Sequence, residues 1–203
     1  MKGRRDRILD VAVALAEEGG FENVRQRDVA ARAGVALGTL YKSFRSKEDI
    51  LSAALDREAE TLERRLEDKP SLGNTSTERV SSLFSMMTRG LCKKPKYARA
   101  VLRAMASGEP EVAGKVAAYQ ERITGLIIAA MRGVGRLSYS DIKASPPSTK
   151  EATMASALQQ FWFAALVGWS AGLIGVTNVV EQMRWVTAVL DRGIDEEQKE
   201  RSR

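Results

Sequence analysis

Apolar residues recur three and four positions apart along nearly the whole chain, and runs alternating apolar with polar residues are absent. That period predicts an all-α fold. A first helix is expected over residues 4–18, with Ile8, Val11, Ala12 and Leu15 on one face and Gly19-Gly20 ending it. Two short helices follow on either side of Gly34, and a longer one runs over 46–68, where Ser46 and Asp49 supply a Ser-x-x-Asp cap. Segment 69–76, KPSLGNTS, reads as a turn. Helices are then expected over 77–92, 96–107 and 110–131. Residues 133–150 carry glycines, serines and a Pro-Pro pair without any period, which predicts a mobile loop. Helices over 150–174 and 179–192 close the pattern, and DEEQKERSR reads as a frayed polar tail. A small helical domain, 1–54, followed by a larger one, 55–203, is expected.

One stretch departs from ordinary amphipathic design. RDVAARAGVALGTLYKSFRSKEDIL, residues 27–51, holds two short helices joined at Gly34. Val29, Ala30 and Ala33 share a side of the first, and Leu40 and Phe44 lie one turn apart on the second. Two short helices joined by a tight glycine-containing turn form a helix-turn-helix. With Leu40 and Phe44 inward, Leu37, Gly38, Thr39, Tyr41 and Lys42 are left largely outward. Gly38 removes bulk where a backbone could approach base edges, and Thr39 offers a hydroxyl and a methyl. Tyr41 and Lys42 can reach phosphate oxygens, and Lys47 opens the next helix, where the dipole favours an anion. By period alone, a plain helical hairpin explains the stretch about as well as a DNA reader does.

Charge and cysteine content narrow the field. The 203 residues carry a net charge of +6, which suits an anionic partner without requiring one. Cys92 is the single cysteine and histidine is absent, so no intrachain disulfide and no His/Cys zinc site can form. A reducing, cytoplasmic setting is expected. The N-terminus lacks a signal-peptide pattern, and no apolar run is long enough to span a bilayer. The lack of histidine, of a reactive cysteine setting and of a phosphate-cradling glycine loop argues against most hydrolytic and nucleotide chemistry; a carboxylate pair stays open. Residues 1–54 hold ten Lys or Arg against eight Asp or Glu, so any basic reading surface there must come from placement. Lys2, Arg4 and Arg5 are either a short DNA-contacting arm or a solvated terminus.

The run F-x-x-x-x-x-R-D-V-A-x-R-A-G-V-A-x-G-T-L-Y-x-x-F-x-S-K-E-x-I-L closely resembles the N-terminal domain of the TetR family of bacterial transcriptional regulators. GTLYKSF, 38–44, and SKEDIL, 46–51, are the most specific parts of that resemblance. It implies a homodimer whose recognition helices enter successive major grooves of a palindromic double-stranded operator. Leu37, Gly38 and Thr39 would lie nearest the bases. Tyr41, Lys42 and Lys47 would contact phosphates, as would Arg25, Gln26 and Arg27 at the start of the preceding helix. Many members carry Ser or Thr caps where this chain has Arg25 and Ala36, so both caps are expected to be weak. The same motif, the chain's start and an aromatic eighth helix also resemble the steroid- and cholesterol-catabolism repressors of actinobacteria, which respond to acyl-CoA thioesters.

The larger domain is expected to sense an effector and to dimerise. Arg79, Arg89, Lys93, Lys94, Lys96, Arg99 and Arg103 form a run without an acid, either a solvated face or a site for an anionic ligand such as an acyl-CoA. An apolar effector pocket would draw on Leu83, Phe84, Met86 and Met87, on Leu102 and Met105, on Tyr119, Ile123 and Ile127, and on Phe161 and Trp162; each is equally a plain core position. On the eighth helix Trp162, Leu166, Trp169 and Leu173 form a stripe, and Ala165, Gly168 and Gly172 a ridge of small residues. The ninth adds Val179, Met183, Val186 and Leu190. Those stripes suit a central core helix, and equally the dimer interface through the last two helices that the resemblance implies. No cofactor and no membrane partner are expected. Two other readings stay beside a ligand-responsive repressor: a helical interaction protein without effector control, and an all-α enzyme.

Overall fold

A computed structural model describes residues 3–70, 72–136 and 139–201, with no account of the side chains of 139, 140, 142 and 193–201. All regular structure among the described residues is helical. The helices are α1 (Arg4–Gly19), α2 (Gln26–Ala33), α3 (Leu37–Ser43), α4 (Lys47–Asp68), α5 (Ser76–Cys92), α6 (Pro95–Met105), α7 (Pro110–Arg132), α8 (Tyr139–Ala144), α9 (Thr149–Ser170) and α10 (Val176–Arg201), with a 3-10 turn at Phe21–Asn23. None of these helices is long and apolar enough to cross a membrane.

Three expectations are corrected. The segment expected to be a mobile loop holds α8, although 137–138 lie outside the described residues. Its far end is pinned by a capping box: Ser148 Oγ accepts from Glu151 N at 3.1 Å, and the Glu151 carboxylate accepts from Ser148 N at 2.8 Å. The second correction is at the α9–α10 junction, where α9 stops at Ser170 because Gly172 turns left-handed at φ 79°. Leu173 N then bonds Gly168 O at 3.0 Å, closing a Schellman-type end. Third, α10 continues into the polar tail as far as Arg201, since Glu, Gln, Lys and Arg are good helix formers with or without a buried face; 202 and 203 lie outside the described residues.

Packing divides the chain into two compact units, residues up to 60 with 91–120, and 61–90 with 121 onward. The first is organised on α1, whose Ile8, Leu9, Ala12 and Leu15 are buried beside Val29, Leu40, Phe44, Leu51 and Tyr97. In the second, Val80, Leu83, Phe84, Ile127, Leu158, Leu166 and Met183 are fully or almost fully buried. There the Trp162 indole donates to the Thr88 hydroxyl at 2.9 Å and tilts against Phe84 at 5.7 Å between ring centroids.

Candidate nucleic-acid interface

Gly34 makes the turn between α2 and α3 with φ 64° and ψ 40°, a left-handed conformation that a Cβ resists. Val35 N reaches Ala30 O at 3.0 Å, so the chain reverses within two residues. Leu40 and Phe44 are both fully buried, which fixes the face that α3 turns to its own unit. Arg5 and Lys115 lie 5.0 and 5.5 Å from the Phe44 ring centroid, and Lys115 also pairs with the buried carboxylate of Asp49. Gln26 Nε2 donates to Phe44 O at 3.4 Å, tying the start of α2 to the end of α3. Burial of its ammonium pushes the Lys115 pKa down, with Arg5 adding repulsion.

The capping of this unit is uneven. Ser46 Oγ accepts from Asp49 N at 3.1 Å, as the Ser-x-x-Asp pattern predicts. The Asp49 carboxylate accepts from Arg45 N at 2.9 Å, one residue ahead of the cap. Arg25 and Ala36 make no side-chain cap hydrogen bond; in the first turn of α3 Thr39 N reaches Ala36 O at 2.9 Å, and neither helix start is closed by a side chain.

Every candidate DNA-contacting residue lies outside the core. Arg25, Arg27, Gly38, Tyr41 and Lys42 are exposed, and Gln26, Leu37, Thr39 and Lys47 are half-buried. A Cβ built on Gly38 would meet nothing within 4 Å, so packing within the chain does not call for glycine there. Arg25, Gln26 and Lys47 are brought together in an open cleft of about 420 Å³, lined also by Glu22, Val24, Arg45, Ser46 and Glu48. Leu37, Gly38, Thr39, Tyr41 and Lys42 lie on α3, and Arg27 on α2, outside that lining. Sequence reasoning missed Arg45, whose only signal was a basic residue directly before a cap. It also missed Glu22, which accepts from Lys47 Nζ at 3.1 Å and pairs with Arg103 Nη1 at 2.8 Å. The Lys47 hydrogen bond is the main cause holding the Glu22 carboxyl below its usual range. Of the basic arm, Arg4 and Arg5 belong to the first turn of α1, and Lys2 lies outside the described residues.

The basic run 79–103 is not one surface. Arg79 Nε and Nη2 each donate at 2.8 Å, to Ala130 O and Met131 O, closing the C-terminus of α7. In the first unit Lys94 pairs with Glu17 at 2.6 Å, Lys96 Nζ donates to Glu18 O at 2.8 Å, and Arg103 pairs with Glu22. These cations hold α6 to the end of α1 and the 3-10 turn. Burial raises the Cys92 thiol to about 11, which leaves it un-ionised and unreactive near neutral pH.

The effector candidates also separate. Leu83, Met87, Ile123, Ile127 and Trp162 are buried in the second unit, together with Phe84. Leu102, Met105 and Tyr119 belong to the first unit, where burial drives the Tyr119 phenol pKa upward. Met86 and Phe161 point outward, 40% and 38% exposed, so they do not join that interior set. Of the α9 stripe, Trp162, Leu166 and Trp169 are buried within their own unit, as is Ala165, in line with the core-helix alternative; only Leu173 departs from it, 79% exposed. Among the described residues, the large apolar side chains that α9 and α10 show to solvent are Phe161, Val167, Trp185 and Val189.

Comparisons with known proteins agree with this arrangement. Residues 8–54 match the family model described as bacterial regulatory proteins, tetR family, and 73–190 match the one described as tetracyclin repressor-like, C-terminal domain. The chain is 32% identical to the HTH-type transcriptional repressor KstR of Rhodococcus jostii, over 93% of this chain and 83% of that protein. A TetR transcriptional regulator from Rhodococcus sp. RHA1 superposes with a TM-score of 0.80 at 21% identity, over 92% of this chain and 94% of that one. Thermus thermophilus FadR, solved in complex with lauroyl-CoA, superposes with a TM-score of 0.70 at 17% identity, over 91% and 93% of the two chains.

Proposed function

Because the chain belongs to the TetR family of bacterial regulatory proteins, DNA-binding transcriptional regulators and not enzymes, we propose that it is a homodimeric repressor. It would read a palindromic operator through α3 and release it on binding an apolar or acyl-CoA-type effector. The observation that carries the DNA half is the coincidence of an outward α3 face with two uncapped helix starts and a cation-bearing cleft. Leu37, Gly38 and Thr39 would face base edges; Tyr41, Lys42, Lys47, Arg25, Gln26, Arg27 and Arg45 would face phosphates. A double-stranded DNA fragment enriched from a random library by the protein tests this. Binding should be specific and salt-sensitive, and Tyr41→Ala with Lys42→Ala should abolish it without lowering Tm, since both residues are exposed. Failure to enrich any sequence would refute the reading.

For dimerisation, Trp185 and Val189 sit one turn apart on α10, exposed to 66% and 39%, and Phe161 and Val167 are exposed on α9, which packs against it. Such an apolar set on a TetR-type chain suits pairing with a second copy. For the effector, the apolar interior of the second unit offers the Trp162 indole and Thr88 hydroxyl as a polar pair. The resemblance to steroid-catabolism repressors and the fold shared with a lauroyl-CoA-bound regulator favour acyl-CoA thioesters. The dispersal of the basic run removes the charge argument for them. Release of DNA by CoA thioesters but not by the free acids or steroids would support the CoA form. Equal release by all would leave an apolar effector in its place.

A further inference from the structure

The cleft assigned to a DNA phosphate carries two carboxylates among its cations, Glu22 and Glu48, and the first of them holds Lys47. Glu22 accepts from Lys47 Nζ at 3.1 Å and pairs with Arg103 Nη1 at 2.8 Å. Both cations also rest on the ring of Phe21, 3.9 and 4.2 Å from its centroid. Lys47 opens α4 and lines the cleft, whereas Arg103 is on α6 and does not line it. Two cations from different helices therefore share one carboxylate, and only one of them, Lys47, lines the cleft.

All three groups keep access to water: the side chains of Glu22, Lys47 and Arg103 are 68%, 27% and 61% exposed. Ion pairs of this kind are weak and exchange readily. A phosphate entering the cleft can thus take Lys47 from Glu22, but it must first compete with that carboxylate and then sit near it. Arg103 acts in the opposite sense. By holding the same carboxylate it lowers the hold of Glu22 on Lys47.

We propose that Glu22 is a built-in competitor for the operator phosphate, and that Arg103 sets its strength from α6. Lys47 is then a gated contact whose availability depends on where α6 holds Arg103. Any displacement of α6 that parts Arg103 from Glu22 tightens the Glu22–Lys47 pair and weakens DNA binding. This rests on the reading of the cleft as a phosphate site.

The test is an anisotropy titration over a range of salt concentrations. The probes are a duplex enriched by the wild-type protein and a mixed-sequence duplex at low salt. Glu22→Gln should bind about three- to tenfold tighter, as expected when an exposed ion pair and a nearby like charge are removed. Lys47→Gln should lower the slope of log K against log salt by about one for each cleft engaged. The gain from Glu22→Gln should vanish in the Lys47→Gln background. Arg103→Gln should weaken binding several-fold in the wild type and leave Glu22→Gln unchanged. If Lys47→Gln leaves the salt slope intact, the phosphate reading of the cleft falls and this proposal with it. If Lys47→Gln lowers the slope while Glu22→Gln gains nothing, or gains equally without Lys47, the proposal alone is overturned. Near-identical thermal transitions among the variants confirm that binding, not folding, is being read.

Discussion

Glu151 allows a prediction whose size can be worked from geometry. Its carboxylate accepts from Arg132 Nε at 2.7 Å and Nη2 at 3.0 Å, from Ser148 N at 2.8 Å and from Ser148 Oγ at 3.0 Å. Arg132 also donates to Ser145 O at 2.8 Å. One carboxylate therefore ties the end of α7, the turn after α8 and the start of α9. The Arg132 hydrogen bonds lead in pulling its pKa from 4.5 to about 2. A folded-state pKa below the unfolded one stabilises the fold above the unfolded pKa and is lost as pH falls through the folded one. At ~1.36 kcal/mol per unit, the shift caps the contribution near ~3 kcal/mol. The carboxylate side chain is 24% exposed, and screening by water brings the expected value to about 1–2 kcal/mol. Glu151→Gln should lower stability by that amount at pH 7. By pH 3, where the unfolded group is protonated and the folded one only partly so, the deficit should fall to less than half. Urea unfolding followed by circular dichroism at both pH values measures it. A deficit that is constant from pH 7 to 3, or none at all, would refute the assignment of the shift to these bonds.

Other substitutions probe separate parts. Gly38→Ala should raise Tm slightly, since alanine is the better helix former by up to about 1 kcal/mol and nothing obstructs its Cβ. It should weaken specific DNA binding tenfold or more if the α3 backbone approaches the bases; tighter or equal binding would remove Gly38 from the interface. Trp162→Phe leaves the fully buried Thr88 hydroxyl without its partner and should cost about 1–2 kcal/mol in urea unfolding. Trp185→Glu should shift the light-scattering mass from dimer to monomer, and an unchanged mass would exclude α10 as the dimer surface. Arg79→Met opens the carbonyl end of α7 and should lower stability by about 2 kcal/mol, read by the same unfolding assay.

The helix-turn-helix was legible because its determinants are local. Gly34 supplies the left-handed turn and Leu40 with Phe44 the anchor, all within eleven residues of chain. Which apolar positions form the interior of the second unit was not legible, for two reasons. α9 is apolar on most sides between Phe161 and Val167, so period alone does not say which side faces inward; the structure buries Trp162 and Leu166 and leaves Phe161 and Val167 out. α5 turns Val80, Leu83, Phe84 and Met87 inward, which carries Met86 to the open side despite its apolar character. The basic run failed for another cause. Neighbours in sequence share no partner when one closes a helix end and others pair with acids on different elements.

Charge placement in residues 1–54 shows how those partners matter to function. By counting, the segment has almost as many acids as bases. Six of its eight acids are paired: Asp6 and Asp10 with Arg57, Glu17 with Lys94, Glu18 with Arg32, Glu22 with Lys47 and Arg103, and Asp49 with Lys115. Arg57, Lys94, Arg103 and Lys115 come from outside the segment. The acids around the helix-turn-helix are thus largely neutralised by imported cations on α4, on α6 with the residue before it, and on α7. Among the described residues, Arg25, Arg27, Lys42 and Arg45 enter no ion pair and are exposed on the helix-turn-helix and beside its cap. Helices beyond residue 54 therefore decide how basic the reading surface is. On the proposal for Glu22, a change in α6 should alter DNA affinity without moving a single residue of α3.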